Sequence, residues 1–158
     1  MPVRNGTTTT AHPRGDETRG RILQAALRIF GEVGYAQATT RRIAESAGVA
    51  LPAIKYYFDN KEGLYLACAH EILARYEASV GPYLEEVATA FAVGMSAEEA
   101  RGHLKRVMRA VTTINNDEDE GSVRTGFVLR EMTEQGPAFG ILYRDLWRPG
   151  VNLTAHLI

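Results

Sequence analysis

The stretch Thr39-Thr40-Arg41-Arg42-Ile43-Ala44-Glu45-Ser46-Ala47-Gly48-Val49-Ala50-Leu51-Pro52-Ala53-Ile54-Lys55-Tyr56-Tyr57-Phe58 decides the fold. Thr39 or Thr40 can cap a helix whose first turn is Arg41-Arg42-Ile43. Ile43, Ala44 and Ala47 form its short apolar face, and the small Ala44 lets a second helix cross closely. Gly48 accepts the left-handed conformation that a tight turn needs, and Val49 plugs the corner. Pro52 fits the first turn of the next helix, where its missing N–H costs nothing. Two short helices around a glycine turn make a helix-turn-helix, whose second helix is of the kind that enters a major groove.

On the N-terminal side, Ile22, Leu23, Ala26, Leu27, Phe30 and Val33 make a helical stripe, which Gly34 closes as a C-cap. Residues 1–15 are polar and aperiodic and read as a disordered tail. On the C-terminal side, Asp59 or Asn60 caps a long helix from Lys61 to Glu77 or beyond, with Leu64, Cys68, Ile72 and Leu73 inward. Gly81-Pro82 should break or kink it, and Tyr83–Phe91 is a short helix or its kinked continuation. Ser96-Ala97-Glu98-Glu99 is a capping box that opens a helix with Leu104, Val107, Met108, Val111 and Ile114 inward. An acidic loop spans 115–121, a helix follows from Ser122 to about Gln135, Gly136-Pro137 interrupts, and 138–147 is helical again. No period-2 alternation of useful length occurs. The expected fold is all-α, with a tail (1–15), a three-helix helix-turn-helix domain (16–60) and a helical bundle (61–158), helix 61–80 linking the two.

Composition excludes several classes. Among 158 residues there is one cysteine, Cys68, inside an apolar run, so neither a disulfide framework nor a cysteine-rich zinc site is expected. His12, His70, His103 and His156 show no ligand spacing, and the consecutive carboxylates of the 117–120 loop cannot all face one ion; no metal and no cofactor is expected. No nucleophile–base pair or phosphate loop stands at a recognisable spacing, so an enzyme is not expected. No apolar run is long enough to span a membrane and the start does not read as a secretory signal, which implies a cytoplasmic protein. The overall charge of −1 hides an asymmetry. Residues 1–70 carry nine Lys/Arg against six Asp/Glu, a net of +3, and the remainder nine against thirteen, a net of −4. A basic front on an acidic rear suits a nucleic-acid-binding module joined to something else.

The second helix can be read by angle. At about 100° per residue, Ile54 and Phe58 share the core side. Pro52, Lys55 and Tyr56 then point outward, a Tyr-Tyr pair beside a lysine. Against DNA, Lys55 neutralises a phosphate and a tyrosine hydroxyl donates to one, while Leu51, Pro52 and Ala53 offer apolar contact to thymine methyls. Arg41 suits a guanine edge, and Thr40 and Lys61 stand at helix N-termini, where phosphates bind.

With those residues in view, the segment from about Arg19 to Leu73 resembles the DNA-binding domain of the TetR family. The resemblance rests on ILQAALRIFGEVGYAQATTRRIAESAGV, on the recognition helix ending IKYYF, and on DNKEGLY. It implies three helices on DNA and a fourth leading to a ligand-binding and dimerisation domain. It places Thr40, Arg41, Leu51, Pro52, Ala53, Lys55, Tyr56, Tyr57 and Lys61 at contact positions. Leu51 and Ala53 depart from the polar residues common there, and Lys55 from a common aromatic, so base reading leans on Arg41, shape and apolar contacts. The segment VLREMTEQGPAFGILYRDLWRPG is similar to the C-terminal domain of a subgroup called CerR-like. Such domains run some 40–60 residues further, so the bundle is expected to be incomplete at its C-terminus.

The resemblance implies a ligand-responsive repressor acting as a homodimer on a palindromic operator, its effector an unknown small molecule. Phe127, Met132, Phe139, Tyr143 and Trp147 are candidate ligand-cavity residues, although core packing explains the same stripe, which also includes Leu142. The competing readings are a helical protein-interaction module, in which the tyrosines hold a protein partner, and a small all-α enzyme.

Overall fold

The computed structural model describes residues 13–115 and 120–157, all-α with no strand among them. Helix α1 spans Pro13–Gln37, α2 Thr40–Ala47, α3 Leu51–Phe58, α4 Lys61–Val93, α5 Ala97–Asn115, α6 Glu120–Glu134 and α7 Phe139–Leu142. A π-helical segment, Tyr143–Trp147, leads into α8, Arg148–Leu157. Residues 1–12 and 116–119, which hold most of the expected tail and acidic loop, lie outside the described residues. Residues 13–15, expected in the tail, are helical and open α1.

The predicted stripe of α1 is its buried side: Ile22, Leu23, Ala26, Leu27 and Phe30 are all buried. Gly34 interrupts the helix at φ 79, a left-handed backbone that only glycine adopts without cost. A side chain there would also meet Glu134, whose Oε2 lies 2.7 Å from an ideal Cβ.

Of the two expectations at Gly81-Pro82, a break or a continuation, helix α4 takes the continuation. Asn60 caps the helix, its side-chain oxygen accepting from the Gly63 N–H at 2.9 Å, and it then runs through Pro82 to Val93. Packing explains the continuity: Val80 and Val87 are buried on either side of the proline and join Val107 of α5 in a second small core. The capping box forms as expected. The Ser96 N–H donates to Glu99 at 2.8 Å and the Glu99 N–H to Ser96 Oγ at 3.3 Å. The Ser96 hydroxyl, which donates to Glu99 Oε2 at 2.7 Å, and next the Ser96 N–H hold the Glu99 carboxyl below its ordinary range. On α5, Val107 is buried, but Met108, expected inward, is half exposed.

The main core does not stop at the expected domain boundary. Phe127 of α6 and Leu142 of α7 belong to the same buried cluster as α1–α4. Phe30, Tyr65 and Phe127 meet edge to face or tilted, Tyr65 and Phe127 at 4.6 Å between ring centres. Helix α6 presses on α1 at a glycine pair: a Cβ on Gly31 would lie 3.1 Å from the Val123 carbonyl, and one on Gly126 3.8 Å from the Gly31 carbonyl. Arg130 seals this contact by donating to the carbonyls of Gly31 (3.2 Å) and Glu32 (2.8 Å) at the end of α1.

Candidate nucleic-acid interface

Thr39 caps α2: its hydroxyl oxygen accepts from the Arg42 N–H at 3.2 Å. At the other end Gly48 is left-handed, φ 64, and the Val49 N–H donates to the Ala44 carbonyl at 3.0 Å. Arg21 of α1 fixes the same turn, donating to the Gly48 carbonyl at 3.2 Å. The turn then delivers α3 with Ile54 and Phe58 buried. The guanidinium of Arg19 lies over the Phe58 ring, 5.3 Å from its centre.

The outward face of α3 matches the angular reading. Leu51, Pro52, Lys55 and Tyr56 are exposed, Tyr56 at 82%. Ala53 and Tyr57 are half-buried against the core. Tyr57 meets Tyr56 edge to face, with ring centres 4.9 Å apart. No side chain caps the start of α3; Pro52 carries no N–H there, and the Ala53 N–H donates to the Ala50 carbonyl at 2.9 Å.

The flanking candidates stand differently. Arg41 is exposed and pairs with Glu45 one turn on, at 3.3 Å; such an exposed pair is weak and yields readily to a stronger acceptor. Thr40 is half-buried at the start of α2. Lys61 stands at the start of α4, but its ammonium is folded back, 4.5 Å from the centre of the Tyr35 ring and donating to the Ala36 carbonyl at 3.4 Å. Sequence reasoning missed Arg19 and Arg21. The signal was their spacing, since both lie within one turn of Ile22 on a helix otherwise read for its apolar side alone.

The expected ligand-cavity residues separate. An apolar cleft of about 700 Å³ opens between α4, α5, α6 and α8, and Met132 and Trp147 line it together with Ile72, Tyr76 and Val128. Phe127 does not; it is buried under Phe30 and Tyr65. Phe139 and Tyr143 do not either; their rings stack on each other at 5.9 Å. An aromatic stripe alone cannot tell core from cavity, because both are apolar.

Two buried polar groups escaped the sequence reading. Tyr65 of α4 donates a short hydrogen bond to Glu131 of α6 inside the core. Burial, and next the Glu131 hydrogen bond and charge, push the Tyr65 hydroxyl far above its ordinary range. The second Glu131 oxygen, Oε1, is buried without a hydrogen-bond partner among the described residues. Arg124, also on α6, is buried and donates to the Ile114 carbonyl at 3.2 Å.

A capped, glycine-turned pair of helices with an exposed second member, carried on a helical body, defines a helix-turn-helix protein. The sequence model described as "Bacterial regulatory proteins, tetR family" matches residues 22–68, from the buried side of α1 to Cys68 in α4. Residues 22–68 therefore match the N-terminal DNA-binding domain of the TetR family. It is 33% identical over 145 residues to the helix-turn-helix transcriptional dual regulator CecR of Shigella flexneri, a match covering 91% of this chain and 63% of CecR. Over 58 residues it is 47% identical to the transcriptional repressor AcnR of Corynebacterium glutamicum, covering 37% of this chain and 31% of AcnR. A TetR-family regulator from Streptomyces coelicolor A3 superposes with a TM-score of 0.54 at 25% identity, over 94% of this chain and 77% of its own. The chain thus spans less than two thirds of the length of these two regulators matched by sequence.

Proposed function

We propose that the chain is a sequence-specific DNA-binding transcriptional regulator of the cytoplasm, a repressor released from its operator by a small molecule. The observation that carries this reading is α3. It buries Ile54 and Phe58 and holds Lys55 and Tyr56 outward on a head that matches the TetR-family model. Lys55, Tyr56, Tyr57, Thr40 and Lys61 would take phosphates, Arg41 a guanine edge, and Leu51, Pro52 and Ala53 thymine methyls. A homodimer would set two such helices in successive major grooves of a palindromic operator.

The effector site in this reading is the apolar cleft. Helix α4 begins beside α3 and lines the cleft with Ile72 and Tyr76, so a ligand that shifts α4 changes the presentation of α3. A coupling of about 1–3 kcal/mol suffices for regulation.

Duplex binding across a salt series tests the reading. Affinity should fall steeply with salt. Lys55→Ala should lower the salt slope by about one, and Tyr56→Ala should cost about tenfold in affinity, both with helicity intact. No duplex binding at low salt refutes the proposal and leaves the protein-interaction and enzyme readings.

A further inference from the structure

The first turn of α3, Leu51-Pro52-Ala53, carries no side chain that can donate or accept a hydrogen bond. Its backbone adds little, because Pro52 lacks an N–H and that of Ala53 is spent on the Ala50 carbonyl. Yet the turn is not packed away. Leu51 is 48% exposed, Pro52 is exposed and Ala53 is half-buried. The polar side chains of α3 all lie in its second half. Lys55 and Tyr56 are exposed there, while the Tyr57 hydroxyl rests near the start of α1, 3.6 Å from an ideal Cβ on Gly15.

In a helix-turn-helix the N-terminal residues of the second helix meet the base edges. Guanine, adenine and cytosine show the major groove donors and acceptors, and thymine adds a C5 methyl, the one apolar group of any size there. An apolar turn leaves buried donors and acceptors without partners, which costs affinity. Only at the methyl does it gain a contact. 5-Methylcytosine carries the same methyl on the same ring carbon, so a turn without hydrogen-bonding groups meets the two methyls alike.

We propose that the first turn of α3 reads the pyrimidine C5 methyl itself. Beneath Leu51, Pro52 and Ala53 it favours thymine over deoxyuridine opposite adenine, and 5-methylcytosine over cytosine opposite guanine, by the same factor. The proposal rests on the DNA-binding reading above and deepens it. It has a regulatory consequence: methylating a cytosine at such a position strengthens the site instead of blocking it. The burial of one methyl against this turn corresponds to about fourfold in affinity.

The test starts from an operator selected by the full chain from a pool of random duplexes. Each thymine is replaced singly by deoxyuridine, and each T·A pair that responds is then rebuilt as C·G and as 5-methylcytosine·G. The members of each comparison differ by a methyl alone, and affinity is read by fluorescence anisotropy at one salt concentration. In each half-site at least one deoxyuridine should lower affinity about fourfold, and at that position 5-methylcytosine should bind about fourfold more tightly than cytosine. Leu51→Ser and Pro52→Ser, both at exposed positions, should each lower the ratio at a responding position towards one. Lys55→Ala should weaken every duplex alike and leave the ratios unchanged. Circular dichroism reports whether the variants fold, and the duplex series on the unaltered chain stands without them. Equal affinity for thymine and deoxyuridine at every position overturns the proposal, as does a methyl effect at thymine that cytosine does not share. Ratios unchanged in folded Leu51→Ser and Pro52→Ser also overturn it, assigning the effect to duplex shape. Those three results leave the regulator reading standing, whereas a selection that returns no binding duplex overturns both.

Discussion

Gly63 illustrates how a single position carries the joint between the reading helix and the lever. It lies in the first turn of α4, and a Cβ there would collide with the Phe58 carbonyl at the end of α3. The obstacle is backbone, so no rotamer relieves it. Gly63→Ala should destabilise the fold by about 2–3 kcal/mol, the upper range of overpacking costs, as measured by urea denaturation. The hydrogen bond between Tyr65 and Glu131 behaves differently. Tyr65→Phe leaves both Glu131 carboxylate oxygens buried without this donor and should cost about 1–3 kcal/mol, whereas Tyr65→Phe with Glu131→Leu should recover most of the loss. A double-mutant cycle by urea denaturation checks this. Neither effect was legible in the sequence. Gly63 stood inside a family-like string, DNKEGLY, that gives no hint of what its Cβ would meet. Glu131 sat in a polar-looking run, and only the approach of α4 to α6 buries it. By contrast Thr39, Gly48, Val49 and Asn60 were legible, because caps and turns are satisfied by atoms a few residues away.

At the scale of elements, the helix-turn-helix and the start of α4 were readable for the same reason, and whether α4 passes Pro82 was not. Local sterics at Pro82 left a break and a kinked continuation open, and the burial of Val80 and Val87 on the same small core decides for continuation. Tertiary burial outweighs the lost N–H. The proline still strains the ladder, so Pro82→Ala should raise stability by about 1–2 kcal/mol, the restored hydrogen bond offset by a looser unfolded chain. Thermal unfolding monitored at 222 nm measures it. The stripe on the last helices was the least legible feature. Its periodicity marked an inward side only in part: Phe127 and Leu142 went to core, Phe139 and Tyr143 to each other, and Met132 and Trp147 to the cleft, with Met132 and Tyr143 about half exposed.

For the molecule as a whole, the buried hydroxyl and thiol predict an alkaline limit. Burial raises Tyr65 above its ordinary value of 10.0 and Cys68 above its ordinary 9.0. In the folded state both stay protonated where the unfolded chain has already lost their protons. Their contribution is complete below those ordinary values and is lost as pH rises above them. The urea midpoint should therefore fall between about pH 9 and 11, and Tyr65→Phe should flatten that fall. A slope that Tyr65→Phe leaves unchanged would assign the alkaline limit elsewhere.

The glycine pair where α6 meets α1 bears on protein engineering. Regulators are often rewired by grafting the reading head of one onto the sensing body of another. Here the seam between them is not a linker but a backbone contact, Gly31 against Gly126, latched by Arg130 onto the carbonyls of Gly31 and Glu32. A donor head with a side chain at position 31 would hold α6 away and leave Arg130 short of its two acceptors. A working graft from this chain must carry α6 with the head, so that the exchangeable unit is discontinuous in sequence.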